Sequence, residues 1–200
     1  SQWISGPPAR AWVHQLRAQC DAVIVGGGTV RADDPLLTSR GRRSPEPLRV
    51  VLSRSLDLPV AAQLWQQDVA PTLVVHAAAD SGTHQTPRVS ALKTKGVEVE
   101  TLDCCEPELL LPLLAQRGCN RVLWECGPAL AAAAVQQGCV QEIAAVIAPK
   151  LLGGEQARTP LGDLGLTGMD QVLSLDCLPA QSLGQDLLLE GLFSSCAALS

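Results

Sequence analysis

The feature that most limits how this chain can fold is a series of short apolar runs of strand type, separated by helical or polar segments. Asp21–Val25 (DAVIV), Arg49–Ser53 (RVVLS), Thr72–His76 (TLVVH) and Arg121–Glu125 (RVLWE) read as short apolar strands, and Val97–Leu102 (VEVETL) as a strand of alternating character. Ser5-Gly6-Pro7-Pro8 announces a helix, with Ser5 as its cap, and Ala9, Val13, Leu16 and Cys20 then recur at helical spacing on one face. Ser81–Lys95 reads as polar and partly helical. Pro107–Arg117 is leucine-rich, with Pro112 as a kink or restart and Gly118 as its stop. Pro128 opens an alanine-rich helix that ends at Gly138. Glu142–Gly154 reads as a sixth strand and Gly162–Met169 as a glycine-rich flap. Val172–Leu175 and Asp186–Phe193 close the chain as an antiparallel pair. Strands alternating with helices and followed by a strand-rich end predict an α/β fold, a mostly parallel sheet flanked by helices with an antiparallel C-terminal edge.

Composition narrows the function classes. Two hundred residues, 46% hydrophobic and 18% charged, suit one globular domain with a substantial core. No apolar run reaches the length of a membrane span. A net charge of −5 argues against general nucleic-acid binding. The chain opens at Ser1 without a basic-then-apolar leader, which predicts a cytoplasmic protein and a start inside a longer one. Eight cysteines contain no C-x-x-C pair, so they are expected as reduced thiols, with no metal. His76 and His84 fall at a strand end and in a loop, with no catalytic pattern around them.

Two stretches carry chemistry. Val25–Arg40 (VGGGTVRADDPLLTSR) joins a strand exit to three glycines, Thr29, Asp33, Asp34 and Arg40. Gly26, Gly27 and Gly28 supply backbone freedom, Thr29 can cap a short helical turn, and Asp34-Pro35 closes it. Up to Arg54 there are eight arginines against four acidic residues, an excess suited to an anion such as phosphate. An ordinary turn beside a solvated basic face remains the plainer alternative. Arg10 and Arg17 lie seven apart on the first helix, so one of them can face this loop. The second stretch is the strand–glycine–helix junction at Glu125–Pro128, where free amides at a helix start bind phosphate groups and a strand end presents Glu125.

On these residues the chain resembles a known family. Ser1–Ser5 (SQWIS), Leu16–Arg40, Leu123–Ala131 (LWECGPALA) and Ile147–Gly154 (IAPKLLGG) look like the reductase domain of the bifunctional riboflavin-biosynthesis deaminase-reductase. The resemblance implies a dihydrofolate-reductase-like fold spanning residues 1–195, with 196–200 as a tail. It also implies NADPH-dependent reduction of 5-amino-6-(5-phosphoribosylamino)uracil to its ribitylamino form. Ser1, Arg17, Leu37, Arg40 and Glu125 then correspond to substrate contacts. Trp3, Thr29, Asp33, Gly127, Pro128, Ala129, Leu130, Ala131, Ala132 and Ala133 correspond to cofactor contacts. Asp33 and Glu125 are the candidates for proton transfer.

A homodimer and an upstream deaminase domain are further implications of the resemblance. Two departures stand out: the family's first strand, of the type K-x-A-x-S-L-D-G, is missing, and its usual D-S after the second strand reads Ser53-Arg54. The zinc deaminase signature is not in this chain. An inactive reductase-like binding or assembly domain is the alternative from another class. A same-fold reductase of a pterin-like heterocycle is the third reading.

Overall fold

The computed structural model describes residues 4–78, 85–151, 153, 154, 157 and 159–194. Its centre is a five-stranded sheet of β1 (Ala22–Gly26), β2 (Leu48–Leu52), β3 (Thr72–Ala77), β4 (Glu98–Leu102) and β5 (Val122–Trp124). All neighbours are parallel and the order is β4-β3-β2-β1-β5. The expected strands are all present, within a residue or two of their expected ends.

The near-continuous apolar composition of β1, β2 and β3 goes with burial on both faces, whereas the edge strand β4 alternates and exposes Glu98 and Thr101. Val23, Val25, Val51 and Val74 point to one side, where they pack with Val30 of α2 (Gly27–Asp33), Leu64, Trp65 and Leu92 of α3 (Gln85–Thr94). Ala22, Ile24, Val50, Leu52, Leu73 and Val75 point to the other, against Leu110 and Leu114 of α4 (Pro107–Gln116) and Leu130 of α5 (Pro128–Gln136). Pro112 neither breaks α4 nor restarts it. His76 is buried at the end of β3, its ring nitrogens facing the Ala77 carbonyl at 3.2 Å and the Thr101 hydroxyl at 3.0 Å. His84 lies outside the described residues.

The antiparallel strands form a sheet of their own rather than an edge of the first. In it β9 (Asp186–Phe193) pairs with β6 (Glu142–Ile147), β7 (Leu175–Cys177) and β8 (Gln181–Leu183). The sixth strand is therefore shorter than expected, ending before Pro149. The expected Val172–Leu175 strand begins only at Leu175, and β8 has no counterpart among the expected strands. Among the described residues, β5 has one strand partner, β1, and β6 has one, β9.

The helix α1 (Pro7–Ala18) ties the second sheet to the rest, and here the expected cap is wrong. Its cap position is Gly6, not Ser5. The Gly6 N–H donates to the buried Asp186 carboxylate at 2.6 Å, so a strand 180 residues away supplies the acceptor that an acid at the third helical position gives the cap residue's N–H in a capping box. At Gly184, with φ of +71°, a Cβ would lie 3.0 Å from Pro8, which fixes the β8–β9 turn against the start of α1. Among the described residues no helix is long and apolar enough to cross a membrane.

Candidate active site

Strand order sets the place of the site. The chain steps outward from β1 to β4, then returns so that β5 lies on the other side of β1. Open parallel sheets hold ligands at the carboxyl ends of the strands where the order reverses, here β1 and β5. Their two exits, Gly26-Gly27 and Glu125–Gly127, flank a cleft of about 500 Å³ lined by Thr29, Asp33, Pro35, Leu37, Trp124, Glu125, Cys126 and Gly127.

The triple glycine serves packing more than backbone freedom. None of Gly26, Gly27 and Gly28 has a positive φ. Gly26 is the cap position of α2, so Thr29 lies inside the helix rather than capping it. A Cβ on Gly27 would sit 2.8 Å from Ser53 Oγ and 3.3 Å from Leu58 Cδ2, so only glycine lets α2 start this close to the end of β2. Asp34 does end the helix, at φ of +40°.

Besides Asp34, positive φ falls on Leu37 (φ +54°) and Arg40 (φ +57°), where side-chain-bearing residues adopt it at a cost. Surrounding contacts hold them there. Glu46 accepts the N–H groups of Ser39 at 2.6 Å and Gly41 at 3.1 Å. Burial opposes ionisation of Glu46, but those two donors, the Ser39 hydroxyl and nearby Arg17 hold its carboxyl below the usual range. The fully buried Arg49 donates to the carbonyls of Ala70, Gln66 and Leu36, the last just before Leu37; burial pushes its guanidinium down to about 10.

Across the cleft, Glu125 comes directly after β5, and its N–H still bonds Ile24 of β1 at 3.0 Å. Its carboxylate takes two hydrogen bonds from Arg17, Nε to Oε2 at 2.8 Å and Nη2 to Oε1 at 2.6 Å. Arg17 Nη1 reaches the Thr38 carbonyl at 2.9 Å, so one guanidinium ties the first helix to both walls of the cleft. The Arg17 side chain is 11% exposed and that of Glu125 33%, leaving the carboxylate accessible from the cleft. Asp33 is exposed, and its carboxylate carries no hydrogen bond or ion pair among the described residues.

Gly127 caps α5, whose first intrahelical bond runs from the Ala131 N–H to the Gly127 carbonyl at 3.1 Å. The Ala129 and Leu130 N–H groups precede that ladder. A Cβ on Gly127 would approach Thr29 Oγ1 at 3.5 Å, so the two walls face one another here at ordinary contact distance. The expected flap docks on this turn: the Gly162 N–H bonds the Pro128 carbonyl at 3.0 Å.

The structure thus brings Thr29, Asp33, Leu37, Glu125 and Gly127 to one cleft, with Arg17 bound to Glu125 behind it. Pro128–Ala133 form the helix rather than the cleft wall, and Ala132 is buried. Arg40 is exposed and is not among the residues that line the cleft. Ser1 and Trp3 lie outside the described residues.

Three lining residues go beyond the sequence expectations. Pro35 lies inside the D-D-P motif, and Trp124 and Cys126 flank Glu125, so their adjacency to named residues is the available signal. Trp124 is anchored by its indole N–H on the Cys139 carbonyl at 3.2 Å. Burial pushes the Cys126 thiol up to about 12, which leaves it an apolar lining group. Most of the arginine excess is structurally engaged: Arg10 bonds Ser5, Arg31 bonds Asp57, Arg43 bonds Cys20 and Asp21, and Arg49 is buried. Among the described residues no three His, Cys, Asp or Glu side chains cluster to hold a metal.

Comparison with known proteins agrees in extent and in architecture. A family model described as the RibD C-terminal domain matches residues 1–189. A Synechocystis riboflavin biosynthesis protein RibD is 50% identical over 96% of this chain and 51% of its own length. An Arabidopsis thaliana chloroplastic riboflavin biosynthesis protein PYRR is 41% identical over 94% of this chain and 31% of its own. The solved structure of Acinetobacter baumannii RibD superposes with a TM-score of 0.79 at 30% identity, covering 98% of this chain and 52% of that one. The chain therefore spans between about a third and a half of these relatives' lengths. By the family model and by identity, this chain belongs to the RibD C-terminal domain family.

Proposed function

We propose that the cleft between β1 and β5 binds NADPH beside 5-amino-6-(5-phosphoribosylamino)uracil, and that the chain is the oxidoreductase of a riboflavin-biosynthesis protein. The observation that carries this reading is the meeting of an open helix start with a carboxylate held by a guanidinium. The donor set suits a diphosphate-bearing cofactor: free N–H groups at Ala129 and Leu130, a glycine that leaves the gap to Thr29 open, and a hydroxyl facing that gap. When bound, the nicotinamide supplies the hydride.

The chain's own residues orient and enclose. Thr29 and Asp33 line the cofactor side of the cleft, and Leu37 and Glu125 the substrate side. Arg17 fixes the Glu125 carboxylate so that its remaining lone pairs accept from the donor-rich pyrimidine or the sugar hydroxyls. Arg40, with no partner among the described residues, meets the phosphate. Asp33 and Glu125 are the proton-transfer candidates, since both carboxylates reach the cleft.

We assign residues 1–195 to this reductase unit and 196–200 to a tail. The relatives' greater length supports a deaminase domain preceding it in the whole protein. Exposed Ile147, Leu187, Leu189 and Leu192 on the antiparallel sheet support a homodimer. The cytoplasm, or an equivalent reducing compartment, suits seven free cysteines among the described residues.

The test is the loss of NADPH absorbance on adding the pyrimidine substrate. Oxidation that requires both components is expected. NADPH binding without turnover by any pyrimidine or pterin substrate would favour the binding-module reading, and no binding of millimolar NADPH would overturn the proposal.

A further inference from the structure

The peptide group between Thr38 and Ser39 is gripped at both ends by charged side chains. Its carbonyl, on Thr38, accepts from Arg17 Nη1 at 2.9 Å, and its N–H, on Ser39, donates to Glu46 Oε2 at 2.6 Å. The other two nitrogens of the same guanidinium hold the Glu125 carboxylate, at 2.8 and 2.6 Å. Glu46, the peptide, Arg17 and Glu125 therefore form one chain of hydrogen bonds. It runs from the segment before β2, through the loop after α2 and the helix α1, to the end of β5. Every link has a charged partner, which makes the stronger kind of hydrogen bond, and neighbouring links polarise one another. Thr38 and Ser39 are 4% and 0% exposed, so their shared peptide depends on these two partners. The second oxygen of Glu46 accepts the Gly41 N–H at 3.1 Å. One carboxylate thus brackets Arg40, and the clamped peptide lies one residue beyond Leu37, which lines the cleft.

We propose that Glu46 is a positioning residue for the substrate side of the cleft, acting through the Thr38–Ser39 peptide and Arg17 on the Glu125 carboxylate. The inference rests on the proposed function, in which Glu125 and Leu37 meet the pyrimidine and its sugar. A carboxylate suits this task because it only accepts: both oxygens take an N–H at once, and neither turns a donor toward the loop. With the Ser39 N–H held, the Thr38 carbonyl faces Arg17 and occupies Nη1, which leaves Nε and Nη2 for the two bonds to Glu125. Glutamine at position 46 has the same shape, but it carries no charge and sets a donor against one of the two N–H groups. The peptide then loses an anchor, and the guanidinium that follows it loses its alignment with Glu125. Glu46 lines no part of the cleft, so its effect is on alignment rather than on contact with a ligand.

The first measurement needs no substrate. The Arg17 Nε–H, which donates to Glu125, is followed by NMR for its exchange with water in the unmodified protein and in Glu46→Gln. Exchange roughly tenfold faster in the variant is expected, as for the loss of one hydrogen bond to a charged group, and an unchanged rate would overturn the proposal. The second measurement is steady-state kinetics. Glu46→Gln should raise the KM for 5-amino-6-(5-phosphoribosylamino)uracil roughly tenfold and leave the KM for NADPH within about twofold. Equal losses for both, or lower stability with unchanged kinetics, are what a merely structural role gives, and either would overturn the proposal. If Glu46→Gln does not fold, acid titration of the unmodified protein decides. The Ser39 and Gly41 amide protons should then shift together with a midpoint below 4.5: burial opposes ionisation of Glu46, but those two N–H groups, the Ser39 hydroxyl and Arg17 outweigh it. Amide protons that do not move together would overturn the proposal. Failure of the proposed function appears separately, as no turnover by the unmodified protein, and the Arg17 exchange decides the linkage in either case.

Discussion

The two strand-to-helix turns that meet at the cleft look alike in sequence and do different work. The β1–α2 turn has three glycines, yet its Gly27 is required because Ser53 and Leu58 press against it, and the helix it starts is only seven residues long. The β5–α5 turn has one glycine, under no such pressure, and it opens a helix of nine residues directly into the cleft. The first turn is glycine-rich for packing; the second is under no packing constraint at its glycine, which suits the proposed approach of a ligand's phosphates. Glycine density alone does not locate a phosphate cradle. The helix that the glycine opens, and the groups on the opposite wall, decide.

Substitutions separate the two turns, and the largest effect is expected where they are bridged. Arg17→Ala removes both bonds to Glu125 and the bond to Thr38, and turnover should fall on the order of a hundredfold, as for misplaced reacting groups generally. Glu125→Gln with turnover unchanged would reject the carboxylate's role. Next in size, Gly27→Ala should destabilise by about 1–3 kcal/mol, read in chemical denaturation, because the added methyl meets the Ser53 hydroxyl and Leu58. Gly127→Ala should leave stability nearly unchanged and weaken NADPH several-fold; the reverse pattern for these two variants would invert the assignment of the turns. Arg40→Ala should weaken ribose 5-phosphate about tenfold and NADPH little, and equal losses would remove Arg40 from the phosphate site.

The smallest effect is in stability against pH. Burial holds His14 below 6.5 in the folded state, so the unfolded chain binds the extra proton and stability declines as pH falls through 6.5 and below. Asp21 is lowered from 3.8, chiefly by the Arg121 and Asn120 N–H groups, and Glu46 is lowered from 4.5. Their contribution is present above those values and is lost only as pH falls through the lower folded ones. Two separate acid steps in the unfolding midpoint are expected, and His14→Gln should remove the upper one.

The parallel sheet is legible in the sequence chiefly through β1, β2 and β3, which are buried on both faces and so read as apolar runs, while the edge strand β4 shows alternation instead. The second sheet is less so: β6 is largely exposed, and β8, with Gln181 and Ser182 exposed, has no apolar pattern at all. Register with β9 makes these strands, and register between distant segments leaves no local trace. The cleft is legible where motif residues cluster, at Thr29, Asp33, Leu37, Glu125 and Gly127. The arginine excess is misleading as a count, since most of those side chains hold the fold. The Arg17–Glu125 pair spans 108 residues, and the Thr38–Ser39 peptide is held by two elements at once, so neither is available from spacing.

Amide chemical-shift mapping with NADPH and with ribose 5-phosphate probes the division of the cleft between two ligands in a single experiment. NADPH should perturb Thr29, Gly127, Ala129 and Leu130, and ribose 5-phosphate should perturb Leu37 and Arg40, with both sets meeting at Glu125. Perturbations centred on the antiparallel sheet, or both ligands acting on the same residues, would contradict that division.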